Sequence, residues 1–181
     1  TSGINYVMKS AGSYIINNGI NVPGTITLDN TYGAISGSLT SGYLTYSTAT
    51  TSNTTTSTGI TLNGSLVASN LLNMTSGVTI NAITAGAGAY GISALSTANI
   101  LALKGGISIN GTTNATGTQG GIAVALYGVT ANNGNISING ASAWANGVSL
   151  GGNIITLNGN ISISGASNSV AATGTSGVVI G

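Results

Sequence analysis

Gly134-Asn135-Ile136-Ser137-Ile138-Asn139-Gly140-Ala141 returns as Gly159-Asn160-Ile161-Ser162-Ile163-Ser164-Gly165-Ala166, and in shorter form as Gly106-Ile107-Ser108-Ile109-Asn110-Gly111. Successive side chains of a strand point to opposite faces. The pairs Ile107 and Ile109, Ile136 and Ile138, and Ile161 and Ile163 therefore each share a face, and the serine between them takes the other. So short a strand cannot bury its apolar face alone. Stacking equivalent strands in parallel, about 4.8 Å apart, lines the isoleucines into rows and buries them.

Two further elements keep step with this one. Gly91-Ile92-Ser93-Ala94-Leu95, Gly121-Ile122-Ala123-Val124-Ala125-Leu126, Gly147-Val148-Ser149-Leu150 and Gly177-Val178-Val179-Ile180 open alike, at glycines 30, 26 and 30 residues apart. Ile100-Leu101-Ala102-Leu103, Val129-Thr130-Ala131 and Ile155-Thr156-Leu157 make up the third element. Three strands per repeat of this length predict an all-β parallel β-helix, a solenoid with three short strands per coil. Its regular coils are 91–120, 121–146 and 147–176, with another starting at 177. Val148 and Leu150 join the isoleucines as the expected core.

Residues 1–90 follow the rule more loosely and read as irregular coils of the same solenoid. Ile26-Thr27-Leu28, Ile60-Thr61-Leu62 and Val78-Thr79-Ile80 alternate in the same way. Thr1-Ser2-Gly3-Ile4 and Thr75-Ser76-Gly77-Val78 echo Thr175-Ser176-Gly177-Val178, which suggests one continuing unit. The low-complexity run Thr45–Thr58 reads as an outward loop or a polar strand. Gly and Asn between strands are expected at positive φ in the corners, where aligned Asn side chains would form ladders. At about 27 residues per coil the chain makes about six or seven coils, a rod roughly 30 Å long.

The charge inventory removes most chemistry. Among 181 residues Asp29 is the only acidic side chain, Lys9 and Lys104 are the only strong bases, and there is no Glu, Arg, His or Cys. General acid–base catalysis and two-carboxylate glycoside hydrolysis lack their groups, so no enzyme is expected. Metal sites lack ligands, and two lysines cannot neutralise a nucleic-acid backbone. No cofactor, metal or nucleic-acid partner is expected. Apolar residues are 41 %, mostly Ile, Val, Leu and Ala, with no Phe and one Trp, which suits a thin aliphatic core. No stretch has the apolar length of a membrane helix. Thr1–Ser10 carries no basic region followed by an apolar run, and the chain reads as processed or excised. A net charge of +1 leaves little repulsion between copies.

Individual residues have mostly plain readings. Asp29, beside Asn30, is a turn former rather than a calcium ligand, because one carboxylate is a poor start for that ion. Lys9 and Lys104 are solvated corner residues. Trp144 caps a corner of the aliphatic core. The sequons at Asn53, Asn73, Asn114, Asn135 and Asn160 match chance for this composition. Tyr43 and Tyr46 flank Leu44-Thr45 on opposite faces of a strand, and the exposed one is a candidate carbohydrate contact.

The G-N-I-S-I-x-G-A phrase at Gly134–Ala141 and Gly159–Ala166, with the G-[IV]-x-x-L starts, resembles bacterial filamentous-haemagglutinin-like exoproteins and autotransporter passengers. The resemblance covers residues 91–181. It implies a right-handed parallel β-helix at a bacterial cell surface or in its secretions, and a role in adhesion, aggregation or biofilm matrix. The expected function is therefore a non-catalytic structural or adhesive solenoid in a surface fibre, adhesin or matrix filament. Its partners would be itself, as a homopolymer or as neighbouring coils of a longer chain, and host or matrix carbohydrate. No charge or proline guards the last coil, which fits end-to-end stacking or a segment of a longer rod. The alternatives are a β-sandwich pilin polymerised by strand donation, an ice-binding solenoid suggested by the threonine run, or a carbohydrate-binding solenoid.

Overall fold

The computed structural model describes the backbone of residues 6–10, 14–15, 20–30, 33–36, 39–49, 60–62, 66–68, 78–84, 90–94, 96, 98–103, 105–114, 121–168 and 175–181. Side chains are described at Leu62, at residues 78–83 and at those from 90 onward. The described residues contain strands and no helix. The looser half holds β1 (Tyr6–Ser10), β2 (Tyr14–Ile15), β3 (Ile20–Asn30), β4 (Gly33–Ser36), β5 (Leu39–Ala49), β6 (Ile60–Leu62) and β7 (Leu66–Ala68). The next strands are β8 (Val78–Thr84), β9 (Ile92–Ala94), β10 (Asn99–Ala102), β11 (Ile107–Thr113), β12 (Val124–Leu126), β13 (Gly128–Asn133) and β14 (Ile136–Ser142). The last coil contributes β15 (Val148–Leu150), β16 (Ile154–Asn158), β17 (Ile161–Ser167) and β18 (Val178–Ile180).

Every pairing among these strands is parallel, and each joins one coil to the next. The protein is a parallel β-helix. Its strands stack in three rows. The first runs β8-β11-β14-β17, the second β2-β4-β6-β9-β12-β15-β18 and the third β7-β10-β13-β16. The long strands β3 and β5 turn a corner and serve the first and third rows together, so these two rows form one hydrogen-bonded sheet. The register of β3 against β5 shifts between Val22 and Thr25, at Pro23-Gly24, where a missing N–H does least harm. An antiparallel sandwich, the alternative for a pilin, is not the fold.

The core is a set of columns one side chain wide. Val78, Ile107 and Ile136 align in the first row, as do Ile80, Ile109 and Ile138, and all six are buried. Ile92, Val124 and Val148 form the column of the second row. Ile100 and Val129 stack in the third row beside Ala102 and Ala131. Small residues recur where the rows meet. A Cβ on Gly140 would strike the backbone carbonyl of Gly147, and one on Gly111 that of Ala123. Most glycines here permit such close approach. Among the described residues only Gly105 (φ 84°) and Gly134 (φ 151°) have positive φ, and no Asn does, so the corners differ from the expectation of left-handed turns.

Three further expectations change. Val129 pairs with Ile154 rather than Ile155, so Ile155 and Leu157 point outward, 42 % and 69 % exposed. A one-residue shift moves a whole strand to its other face. Val78 and Val178 follow the same Thr-Ser-Gly but stand in different rows, Val78 stacked with Ile107 and Val178 with Val148. Gly177 lets backbones approach, since a Cβ there would strike the Gly165 carbonyl. Thr45–Ala49 close β5, in register with Thr79–Ile83, because β-branched threonines suit a pleated surface; residues 50–58 lie outside the described part.

Candidate functional site

The outer surface of the first row repeats as regularly as the core. Alternation puts Thr79, Ser108, Ser137 and Ser162 in one outward column and Asn81, Asn110, Asn139 and Ser164 in the next. The side-chain amide of Asn139 donates to the Oδ1 of Asn110 at 2.9 Å, and that of Asn110 to the Oδ1 of Asn81 at 2.8 Å. The same Nδ2 atoms also reach the hydroxyls of Ser137 and Ser108 on their own strands, at 3.2 and 3.3 Å. Register carries this column on through Ser47 and Asp29 to Lys9. Asp29 and Lys9 thus lie inside strands and opposite one another, where a turn and a corner were expected. Lys104 lies outside the described residues.

Shorter ladders tie the corners. Asn158 donates to Asn133 at 2.9 Å, the backbone N–H of Asn160 to Asn135 Oδ1 at 2.9 Å, and that of Ser176 to Asn146 Oδ1 at 2.9 Å. Asn135 and Asn160 are exposed, and so is Asn114; Asn53 and Asn73 lie outside the described residues. Inside the wall, the hydroxyls of Thr113 and Ser142 are buried, 3.1 Å apart, and lie 3.2 and 3.1 Å from the Gly121 carbonyl. Ser142 Oγ also accepts the backbone N–H groups of Trp144 and Ala145, at 3.2 and 2.9 Å. Trp144 is half-buried in the corner that this serine organises.

The chain finds no match among family models, curated proteins or solved structures. Its own geometry defines the site.

That geometry brings the candidate core residues together and separates the last coil from the rest. Ile107, Ile109, Ile136, Ile138, Val148 and Leu150 are buried, while Ile163 is half-buried and Ile161 is 43 % exposed. Ile180, the register partner of Leu150, is 71 % exposed. One strand of the last coil stands in each row, β17, β18 and β16, with core positions open on its outer side. At the opposite end, β1, β2 and the first part of β3 stand one in each row. Tyr43 and Tyr46 lie in β5, in register with Thr25 and with Leu28 and Ile80, and their side chains lie outside the described part. No helix among the described residues is long and apolar enough to cross a membrane.

Proposed function

We propose that this chain is a non-catalytic structural or adhesive solenoid of the cell exterior, forming or belonging to a surface fibre, adhesin or matrix filament through coil-on-coil stacking. The observation that carries this reading is the exposure of Ile161 and Ile180 in columns whose preceding members, Ile136 and Leu150, are 0 % and 2 % exposed. A coil of the same build, from a second copy or from further along a longer chain, would cover these side chains and pair the open backbone of β16, β17 and β18. With one acidic side chain and no His, Glu, Arg or Cys, the chain offers such a role rather than turnover. Extracellular location follows from the resemblance of its repeats to bacterial exoproteins. The outward column of Ser108 and Ser137 supports an ice-binding face less well. It lacks regular Thr-x-Thr, and both hydroxyls are engaged by Asn110 and Asn139.

Electron microscopy with analytical ultracentrifugation of the purified chain tests this. Filaments, or rods lengthening with concentration, with a strand repeat near 4.8 Å along the axis are expected, and Ile161→Asp with Ile180→Asp should leave folded monomers. A wild-type chain that stays monomeric at every concentration overturns stacking between copies.

A further inference from the structure

A second feature of the outer wall lies within the middle coils and does not depend on stacking. A groove of about 240 Å³ runs across the second row, lined by Tyr90, Ser93, Ala125, Tyr127, Ser149 and Gly151 among others. Its floor is the outward column Ser93, Ala125 and Ser149, the middle residues of β9, β12 and β15, which stand in register. All three are small, so the floor is flat. Two strand spacings separate Ser93 from Ser149, about 10 Å. Tyr90 precedes β9 and Tyr127 follows β12, so the two rings stand at opposite ends of the short strands and wall the groove at both ends.

The tyrosine at one end is seated. A Cβ on Gly151 would lie 2.8 Å from Cε1 of Tyr127, and one on Gly152 would strike the Tyr127 carbonyl. Glycine at both positions therefore lets the Tyr127 ring lie against the chain, while 43 % of the residue stays exposed. A supported aromatic ring offers an apolar face and a hydroxyl at little entropic cost. Among the described residues no charged side chain lines the groove.

We propose that this groove binds a short neutral oligosaccharide. The C–H faces of the sugar rings would lie on Tyr90 and Tyr127, and the sugar hydroxyls would exchange hydrogen bonds with Ser93, Ser149 and the phenols. An anionic ligand finds no counter-charge here, and an extended peptide finds no free edge, because β12 is paired on both sides. The described lining of the groove lies within residues 90–151 of one chain, so a monomer that binds sugar and a filament that binds none are both readable results.

The test is saturation-transfer NMR on the intact chain with maltotriose, cellotriose, chitotriose and mannotriose, and with 3'-sialyllactose as the anionic comparison. Binding of at least one neutral trisaccharide is expected. Tyr127→Ala should weaken it roughly tenfold, the scale of one lost stacking contact, and Tyr127→Phe should hold it within roughly threefold. Ala125→Leu, which fills the floor and leaves the ring in place, should abolish it. Far-UV circular dichroism confirms that each variant is folded. Leu157→Ser, on another row, should bind as wild type. Absence of transfer to all four neutral sugars overturns the proposal, as does binding of the sialylated sugar alone or unchanged affinity in both Tyr127→Ala and Ala125→Leu.

Discussion

Asn139 donates its side-chain amide to Oδ1 of Asn110 across 2.9 Å, and Asn110 passes the pattern to Asn81 across 2.8 Å. The three amides are partly buried, and each spends its second N–H on a serine of its own strand where a serine is in reach. Across β8, β11 and β14, which carry no charged residue, this ladder supplies the lateral order that salt bridges supply elsewhere. It also fixes register, because a slip of one residue would turn the amides to the inner face and a slip of two would set an amide against a hydroxyl column.

Asn110→Ala should therefore destabilise the fold by about 1–3 kcal/mol, since Asn139 Nδ2 and Asn81 Oδ1 both lose their partner. Asn158→Ala breaks the exposed Asn133–Asn158 rung, where water replaces the lost bond, and should cost less than about 1 kcal/mol. Denaturant unfolding of the two variants beside the parent chain checks the order.

Gly140→Ala should be among the most damaging of small substitutions. The added methyl would lie 2.6 Å from the carbonyl carbon of Gly147 and 2.8 Å from Cγ2 of Val148, and backbone there cannot swing aside. A loss of about 1–3 kcal/mol or more is expected, as for other overpacked cores. Gly181→Ala, whose Cβ would come no closer than 3.8 Å to the Leu150 carbonyl, should be neutral in the same thermal melt.

Ile138→Ala and Ile161→Ala remove the same atoms from the same kind of strand in successive coils. Ile138 is fully buried, and its truncation should cost about 2–5 kcal/mol of chain stability. Ile161 is 43 % exposed and should cost less than about 1.5 kcal/mol in the monomer. If coils stack between copies, Ile161→Ala should instead reduce association, read by sedimentation at several concentrations. Equal losses of stability from both variants, with no change in sedimentation, would contradict the stacking reading.

The first row was legible because its alternation is unambiguous, with Ile-Ser-Ile repeated and serine never tolerable in the column. The third row was legible in β10 and β13, where Ile100 pairs with Val129, and not in its last strand. Ile154-Ile155-Thr156-Leu157 offers apolar residues on both faces, and the pattern alone favours Ile155 and Leu157 as the inward pair. What decides is the pairing of Val129 with Ile154 and of Ala131 with Thr156, a relation between coils that alternation within one strand does not contain. The repeated Thr-Ser-Gly misled for a related reason, since close-approach glycines precede apolar strands in more than one row. The groove between Tyr90 and Tyr127 left no mark in the repeat, because its two rings come from different coils and from opposite ends of the strand.

The register of the third row makes its own prediction. Ile155→Ser and Leu157→Ser alter outward side chains and should leave stability within about 0.5 kcal/mol of the parent. Ile154→Ser places a hydroxyl against the core beside Val129 and should cost clearly more. Chemical denaturation of the three variants reports which face each residue occupies, and a costly Ile155→Ser with a harmless Ile154→Ser would reverse the assignment.

The buried hydroxyl column gives the sharpest contrast between neighbouring coils. Ser142 Oγ accepts the N–H groups of Trp144 and Ala145 and lies 3.1 Å from the Gly121 carbonyl, so its hydroxyl satisfies three backbone groups of one corner. Ser167 is its register partner one coil on, and there the buried Oγ has no hydrogen-bond partner among the described residues. A hydroxyl that is buried and unbonded costs free energy, whereas one that completes a corner returns more than its desolvation. Ser142→Ala should therefore lower stability by about 1–3 kcal/mol, the cost of stranding the N–H groups it now receives. Ser167→Ala should be neutral or slightly stabilising, by up to about 1 kcal/mol, because it removes a polar atom that nothing satisfies. Differential scanning calorimetry of both variants at matched concentration checks the pair, and similar losses from the two would show that the corners of successive coils are bonded alike.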